Sequence, residues 1–468
     1  MKKEVKIELS GLKIGMYVSR LDRPWIDTPF LLEGLLVETI EDITDLKKAC
    51  EYVYVDLMRG SAPHPTFILT GNDFLLNTQE ISNNPFAKKK GVQTRRIIKK
   101  NQQKKTPAKE QPIESVKSRQ VHKKNQQLST INSYEENISG RSKHHYSVKK
   151  SFNDELKTAS KLYEKLGTKL KAVEMDVKKG NQLNIDILMT DIEGLTDSVL
   201  RNPSAMSWVA HIRSLKESTG SRALNSSIWC CTFGRCLGLK KSAIETLTLG
   251  GLLLDIGKNK LSPKFLKLPR SLTAAEFRVM KMHVNFGVEI IKEASRKSLN
   301  NNQYNDLIEM VADHHERADA SGYPEGLKNQ DISFFGRIAG IVDSFDAMTG
   351  IRSNQGVESM SPNNAVNELY NLRGSKFQLE LVQQFVHTVG IYPTGSLVEM
   401  KTGEVGVVIA VNPSNRLRPR LRIILDKNKQ SLKAHQEIDL GELKNNIAIS
   451  QGLAHGAFGI DMAALFNQ

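Results

Sequence analysis

Four cysteines in 468 residues, Cys50, Cys230, Cys231 and Cys236, leave little scope for disulfide chemistry. None forms a CxxC pair and three crowd one segment, so buried thiols in a reducing compartment are expected. No stretch approaches the ~18 apolar residues that a membrane-spanning helix needs. The opening MKKEVKIELSGLKIGMYV lacks the apolar centre of a secretory signal. A cytoplasmic location is therefore expected. Aromatic residues make up only 6% of the chain, and three are tryptophan. Trp208 and Trp229 read as core residues rather than base-stacking platforms. No internal repeat is visible.

Most of the chain also lacks an excess of either charge. The formal net charge is +15, but residues 86–150 alone carry 18 Lys/Arg against 4 Asp/Glu. The remainder is close to neutral, so the basicity belongs to one segment. Residues 76–150 read as a disordered linker, because KKKGVQTRRIIKKNQQKKTPAKEQP has too few apolar anchors to offset ordering entropy. It is either a solvated linker or a contact for nucleic acid or an anionic surface. Residues 1–75 read as a small α/β domain, with strands at EVKIEL and EYVYVDL and a helix over VETIEDITDLKKAC. Residues 151–390 show apolar positions at three- and four-residue spacing throughout and predict a helical domain. Residues 391–468 turn to β-branched runs between Gly and Asn, predicting a β-rich extension. The fold class expected is mainly α.

Chemistry concentrates in DHHERADASGYPEGL (Asp313–Leu327), followed by GRIAGIVDSFDAMTG (Gly336–Gly350). Adjacent histidines followed by Glu316, Asp319 and a Gly322-Tyr323-Pro324 turn are hard to obtain by chance. On its own the turn reads as type I or II. This pattern resembles the HD-GYP family, bacterial hydrolases of cyclic di-GMP. RNPSAMSW, FGRCLGL, LGGLLLDIGK, EFRVMKMHVNFGVEI and VGIYPTGSLVEM are similar to the same family, and residues 1–75 resemble its frequent N-terminal accessory domain. Phosphodiester hydrolysis of this kind uses divalent ions, which neutralise phosphate charge and lower the pKa of bound water. Imidazole and carboxylate ligands suit iron or manganese ahead of zinc.

The resemblance implies two metal sites, and the chain departs from one of them. Arg222 stands where the family has its first ligand histidine, and Leu254 replaces the histidine of the HD pair. Asp255, His283, His314 and His315 remain for one ion, while the other site keeps only Asp255 and Asp343. One divalent metal, or none, is the cofactor expected. His211 is no substitute ligand, because eleven helical residues before Arg222 is roughly 16 Å. Guanidinium has no lone pair to offer. Arg222 therefore either pairs with Asp255 or Asp343 as a cationic stand-in, or points to solvent. By resemblance, Lys258 faces substrate phosphate, with Asp255 beside it as the catalytic pair, and Arg352 contacts the dinucleotide. Gly322, Tyr323 and Pro324 form a loop for partners such as diguanylate cyclase domains. Ala320 replaces a usual glycine.

Two functions compete. One is a degenerate regulator that binds cyclic di-GMP or a partner, as a homodimer or otherwise, with little or no turnover. The other is a phosphodiesterase working with the single retained site.

Overall fold

The computed structural model describes residues 4–23, 25, 28, 30, 34–37, 39–69, 144–214, 221–266, 268, 270–350, 360–412, 415, 417–442, 447–454 and 456–462. Most of the expected linker, residues 76–143, lies outside them. Two compact units result, one drawn from 1–19 and 36–128, the other from 20–35 and 129–468.

The N-terminal sheet contains β1 (Glu4–Glu8), β2 (Tyr17–Leu21), β3 (Leu35–Leu36) and β4 (Tyr52–Asp56), in the order β1-β4-β2-β3. Alternation puts Val53 and Val55 on one face, fully buried with Ile7, Val18 and Leu46. Leu46 lies on α1 (Ile40–Ala49), which starts in a reciprocal cap between Thr39 and Asp42.

The larger unit is mainly α, as the periodicity predicts. Its helices are α2 (Phe152–Lys178), α3 (Asp186–Arg201), α4 (Pro203–Ser214), α5 (Ser221–Cys236) and α6 (Lys241–Leu253). They continue with α7 (Ala274–Lys292), α8 (Asn301–Asp313), α9 (Phe334–Thr349), α10 (Pro362–Asn371) and α11 (Leu379–Val389). α6 and α9 are apolar on nearly every side and form the centre, where Trp208 and Trp229 are also buried. One buried charge of this unit is matched across two helices. Glu155 on α2 accepts from both Arg201 Nε (2.9 Å) and Nη2 (2.6 Å) and from Ser198 Oγ (2.9 Å) on α3. Residues 144–150, inside the expected linker, are held by this unit: His144 N donates to Gly238 O, Lys149 N to Arg201 O, and Tyr146 Oη to Leu239 O.

Two glycine contacts position the site. A Cβ on Gly251 of α6 would lie 2.8 Å from Ser226 O and Ser227 Cα of α5, so the two backbones touch there. Arg222 stands one turn before this contact on α5, and Asp255 follows Gly251 just past the end of α6. After α6 the chain tightens into a 3₁₀ turn, Ile256–Lys260. A Cβ on Gly257 would lie 2.0 Å from His283 O and 2.4 Å from Gly287 N, so this turn rests directly on the α7 backbone.

The C-terminal sheet is antiparallel, β8-β7-β6-β5-β9, from β5 (Leu397–Met400), β6 (Val405–Ala410), β7 (Arg420–Leu425), β8 (Ser431–Asp439) and β9 (Ile449–Leu453). Leu397, Val405, Val407 and Ile409 join the helical core, while Val398, Met400, Val408, Leu421 and Ile423 form a second, smaller cluster.

Gly257→Ala should cost about 1–3 kcal/mol, because the added methyl meets backbone that cannot swing aside. Urea unfolding reads this as a lower midpoint. An unchanged midpoint would mean that the 3₁₀ turn does not sit on α7.

Candidate metal centre

Five elements converge. α6 delivers Asp255, α7 carries His283 midway, and α8 stops at Asp313, so that His314 and His315 fall in the turn beyond it. That turn is fixed against α9, because Asp313 Oδ2 accepts from Ser333 N (2.9 Å) at the start of that helix. α9 supplies Asp343 and Asp346, one turn apart, and the first turn of α5 supplies Arg222.

Asp255, His283, His314 and His315 come together, each offering one ligand-type atom within 4.8 Å of the others. His283 Nε2 lies 3.3 Å from Asp255 Oδ1. The ring centroids are separated by 5.6 Å (His283–His314), 5.1 Å (His283–His315) and 4.0 Å (His314–His315). His283 Nδ1 is 2.7 Å from Met280 O, and His314 Nδ1 is 2.8 Å from Val311 O. A carbonyl only accepts, so each Nδ1 carries the hydrogen and each Nε2 presents a lone pair. Burial drives all three imidazoles toward the neutral form: His283 is pushed down to about 4, His314 is lowered, and His315 lies well below the usual range, with His314 adding to the effect.

His283 Nε2, His314 Nε2 and Asp255 Oδ1 are buried and make no hydrogen bond. Buried lone pairs facing one another are costly unless a cation joins them. These residues therefore fit a divalent ion held by three imidazoles and one carboxylate.

Beside them lies a second set of charges. Arg222 Nη2 is 2.6 Å from Asp343 Oδ1, and Arg222 Nε is 3.5 Å from Asp346 Oδ2. Burial opposes the guanidinium charge, but Asp343, Asp255 and Asp346 together raise its pKa. Burial would also raise Asp343, yet Arg222 outweighs it and holds that carboxyl well below the usual range. Asp346 receives less compensation, and burial pushes it up to about 7. Asp343, placed by the sequence among the metal residues, is thus engaged by Arg222 and stands outside the group of four. Leu254 packs into the helical core. Lys258, expected to face substrate phosphate, has its Nζ 2.6 Å from Asp255 Oδ2. Burial raises the Asp255 carboxyl, but Lys258 and Arg222 hold it well below its ordinary value. Arg352 lies outside the described residues.

The Gly322-Tyr323-Pro324 loop closes over the histidine pair. It is not a type I or II turn: the Tyr323–Pro324 peptide is cis. Glu316, 3% exposed, accepts at Oε1 from Glu325 N (2.7 Å) and Gly326 N (3.1 Å) and at Oε2 from Leu327 N (2.9 Å). Gly322 is required by close approach, since a Cβ there would sit 2.4 Å from Arg317 N. Asp319 turns away to Lys376 (2.9 Å). Sequence reasoning overlooked Asp346, whose three-residue offset from Asp343 on one helix was a usable signal. It also missed the three amides gathered by Glu316, for which no local pattern exists.

Residues 208–381 match the HD domain model, and 397–451 match a KOW domain associated with HD domains. The chain carries an HD domain. Residues 4–187 match a domain of unknown function, DUF3391, a match that runs on through α2. A cyclic di-GMP phosphodiesterase of Pseudomonas aeruginosa is 26% identical over 291 residues, covering 62% of this chain and 68% of the relative. A 3'3'-cGAMP-specific phosphodiesterase of Vibrio cholerae is 30% identical over 172 residues (37% of this chain, 32% of the relative). A cyclic di-GMP phosphodiesterase of Thermotoga maritima is 32% identical over 150 residues (32% and 39%). The chain thus spans about two thirds of the first relative and a third or somewhat more of the other two. Among the described residues, no helix is long and apolar enough to cross a membrane.

Ala320 adopts φ +62°, where an alanine Cβ crowds its own backbone. Ala320→Gly should stabilise the chain by about 0.5–1 kcal/mol, the relief of left-handed strain less the extra entropy of glycine. A raised urea midpoint is the expected reading; a lowered one would place Ala320 in ordinary backbone.

Proposed function

We propose that this protein is a cyclic-dinucleotide signalling component that holds one divalent ion and binds its nucleotide, or a partner, with little or no hydrolysis. The observation that carries this reading is the 2.6 Å ion pair between Arg222 and Asp343. A guanidinium engaged with the second carboxylate supplies fixed positive charge there but cannot accept a lone pair or polarise water as a Lewis acid. Relatives named for cyclic di-GMP and for 3'3'-cGAMP support a cyclic dinucleotide as the ligand class.

Asp255, His283, His314 and His315 would hold the ion, which when bound supplies charge neutralisation at phosphate and a lowered pKa for water. The chain's own contributions are electrostatic. Arg222 compensates Asp343 and Asp346, so that these carboxylates do not repel an incoming phosphate. Lys258, bonded to Asp255 at 2.6 Å, keeps that carboxylate ionised and brings an ammonium beside it. One observation favours a second reading, a weak phosphodiesterase: the four-residue group is complete.

Incubation of the purified chain with Mn²⁺ or Fe²⁺ and cyclic di-GMP separates the two. Nucleotide retained without linear product is expected. Turnover that disappears in Asp255→Ala would instead establish the enzyme. The stand-in role of Arg222 has its own check. Metal analysis should give one ion per chain for the wild type and two for Arg222→His combined with Leu254→His. Content that does not rise would refute the assignment of the second site.

A further inference from the structure

The three imidazoles are not held alike. His283 and His314 are each fixed by a backbone carbonyl at Nδ1, at 2.7 and 2.8 Å. Among the described residues His315 has no such bond. Its Nδ1 lies 3.7 Å from Asp343 Oδ2, beyond hydrogen-bonding distance and aimed at a carboxylate that Arg222 already engages. A ring in this position can turn toward Asp343 as well as toward Asp255.

What meets His315 instead is Tyr323. The two rings lie 4.6 Å apart at 32°, close to a stack, and Tyr323 N donates to His315 O at 3.2 Å. Tyr323 is itself braced from the helix that bears His283. Phe277 meets it edge-on at 5.9 Å and 84°, and Lys281, one turn further along α7, places Nζ 4.9 Å from both ring centres. The loop carrying Tyr323 cannot drift, because Glu316 gathers the amides of Glu325, Gly326 and Leu327 just behind it.

We propose that Tyr323 is a positioning residue: its ring face sets the His315 imidazole toward the other three ligands, as the carbonyls of Met280 and Val311 do for His283 and His314. The ring performs this role, not the hydroxyl. This rests on the metal reading given above.

The test is Mn²⁺ titration into the full chain and its variants, together with NMR proton–proton contacts from the His315 ring to the His283 and His314 rings in the metal-free protein, with His315 assigned through His315→Gln. Tyr323→Leu keeps the backbone bond to His315 and removes the ring. It should weaken Mn²⁺ binding roughly tenfold, the scale on which partners that orient a ligand act. It should also weaken those ring-to-ring contacts, as the His315 ring averages over more than one orientation. Tyr323→Phe should match the wild type in both. Unchanged affinity and spectrum in Tyr323→Leu would overturn the proposal, as would Tyr323→Phe behaving like Tyr323→Leu. If the wild type binds no Mn²⁺, the metal reading fails. The spectrum then decides the ring contact by itself: averaging in Tyr323→Leu upholds it, and unchanged ring-to-ring contacts remove it.

Discussion

Asp343 and Asp346 are buried inside a helical bundle with the half-buried Asp255 beside them, and a buried carboxylate without compensation costs roughly several kcal/mol even after relaxation. The local structure follows from how that cost is met. Arg222 serves Asp343 directly and Asp346 at longer range, and Lys258 serves one oxygen of Asp255. The other oxygen of Asp255 is left to three neutral imidazoles, which bring no positive charge. Side chains thus compensate the carboxylate charges, but Asp255 Oδ1, His283 Nε2 and His314 Nε2 stay buried without a hydrogen bond. That asymmetry makes the Asp255 half the place for a metal.

Backbone contact makes the asymmetry rigid. Gly251 lets α6 touch α5, and Gly257 lets the following turn lie on α7, so Arg222, Asp255 and His283 are placed by main chain rather than by flexible side chains. A site built this way tolerates exchange of a ligand more readily than displacement of the helix beneath it. Arg and Leu at positions 222 and 254 are accommodated with the surrounding helices in place.

Much of this was readable beforehand. The mainly α class follows from the spacing of apolar residues in stretches such as α2, α3 and α5 to α8, whereas the roles of the histidine pair, Asp255, His283 and Arg222 come from the resemblance to the HD-GYP family. What escaped was set by tertiary geometry. The ionisation of Asp346 depends on burial, and the hold on Glu325–Leu327 depends on where Glu316 points after the chain has turned. The attachment of residues 144–150 uses acceptors more than 50 residues away in sequence. The uneven support of the three histidines is visible only as distances, since one histidine codon says nothing of what its ring rests on.

The C-terminal sheet shares its apolar face with the helices: Leu397, Val405, Val407 and Ile409 are all buried in the same core as Phe385 and Val389. The last helix and the first strand are consequently not separable modules. A chain cut near residue 390 would leave a greasy scar on the bundle, and an insertion there would pry at α11. Genetic shuffling of this sheet onto another helical scaffold would have to carry a matching helix with it.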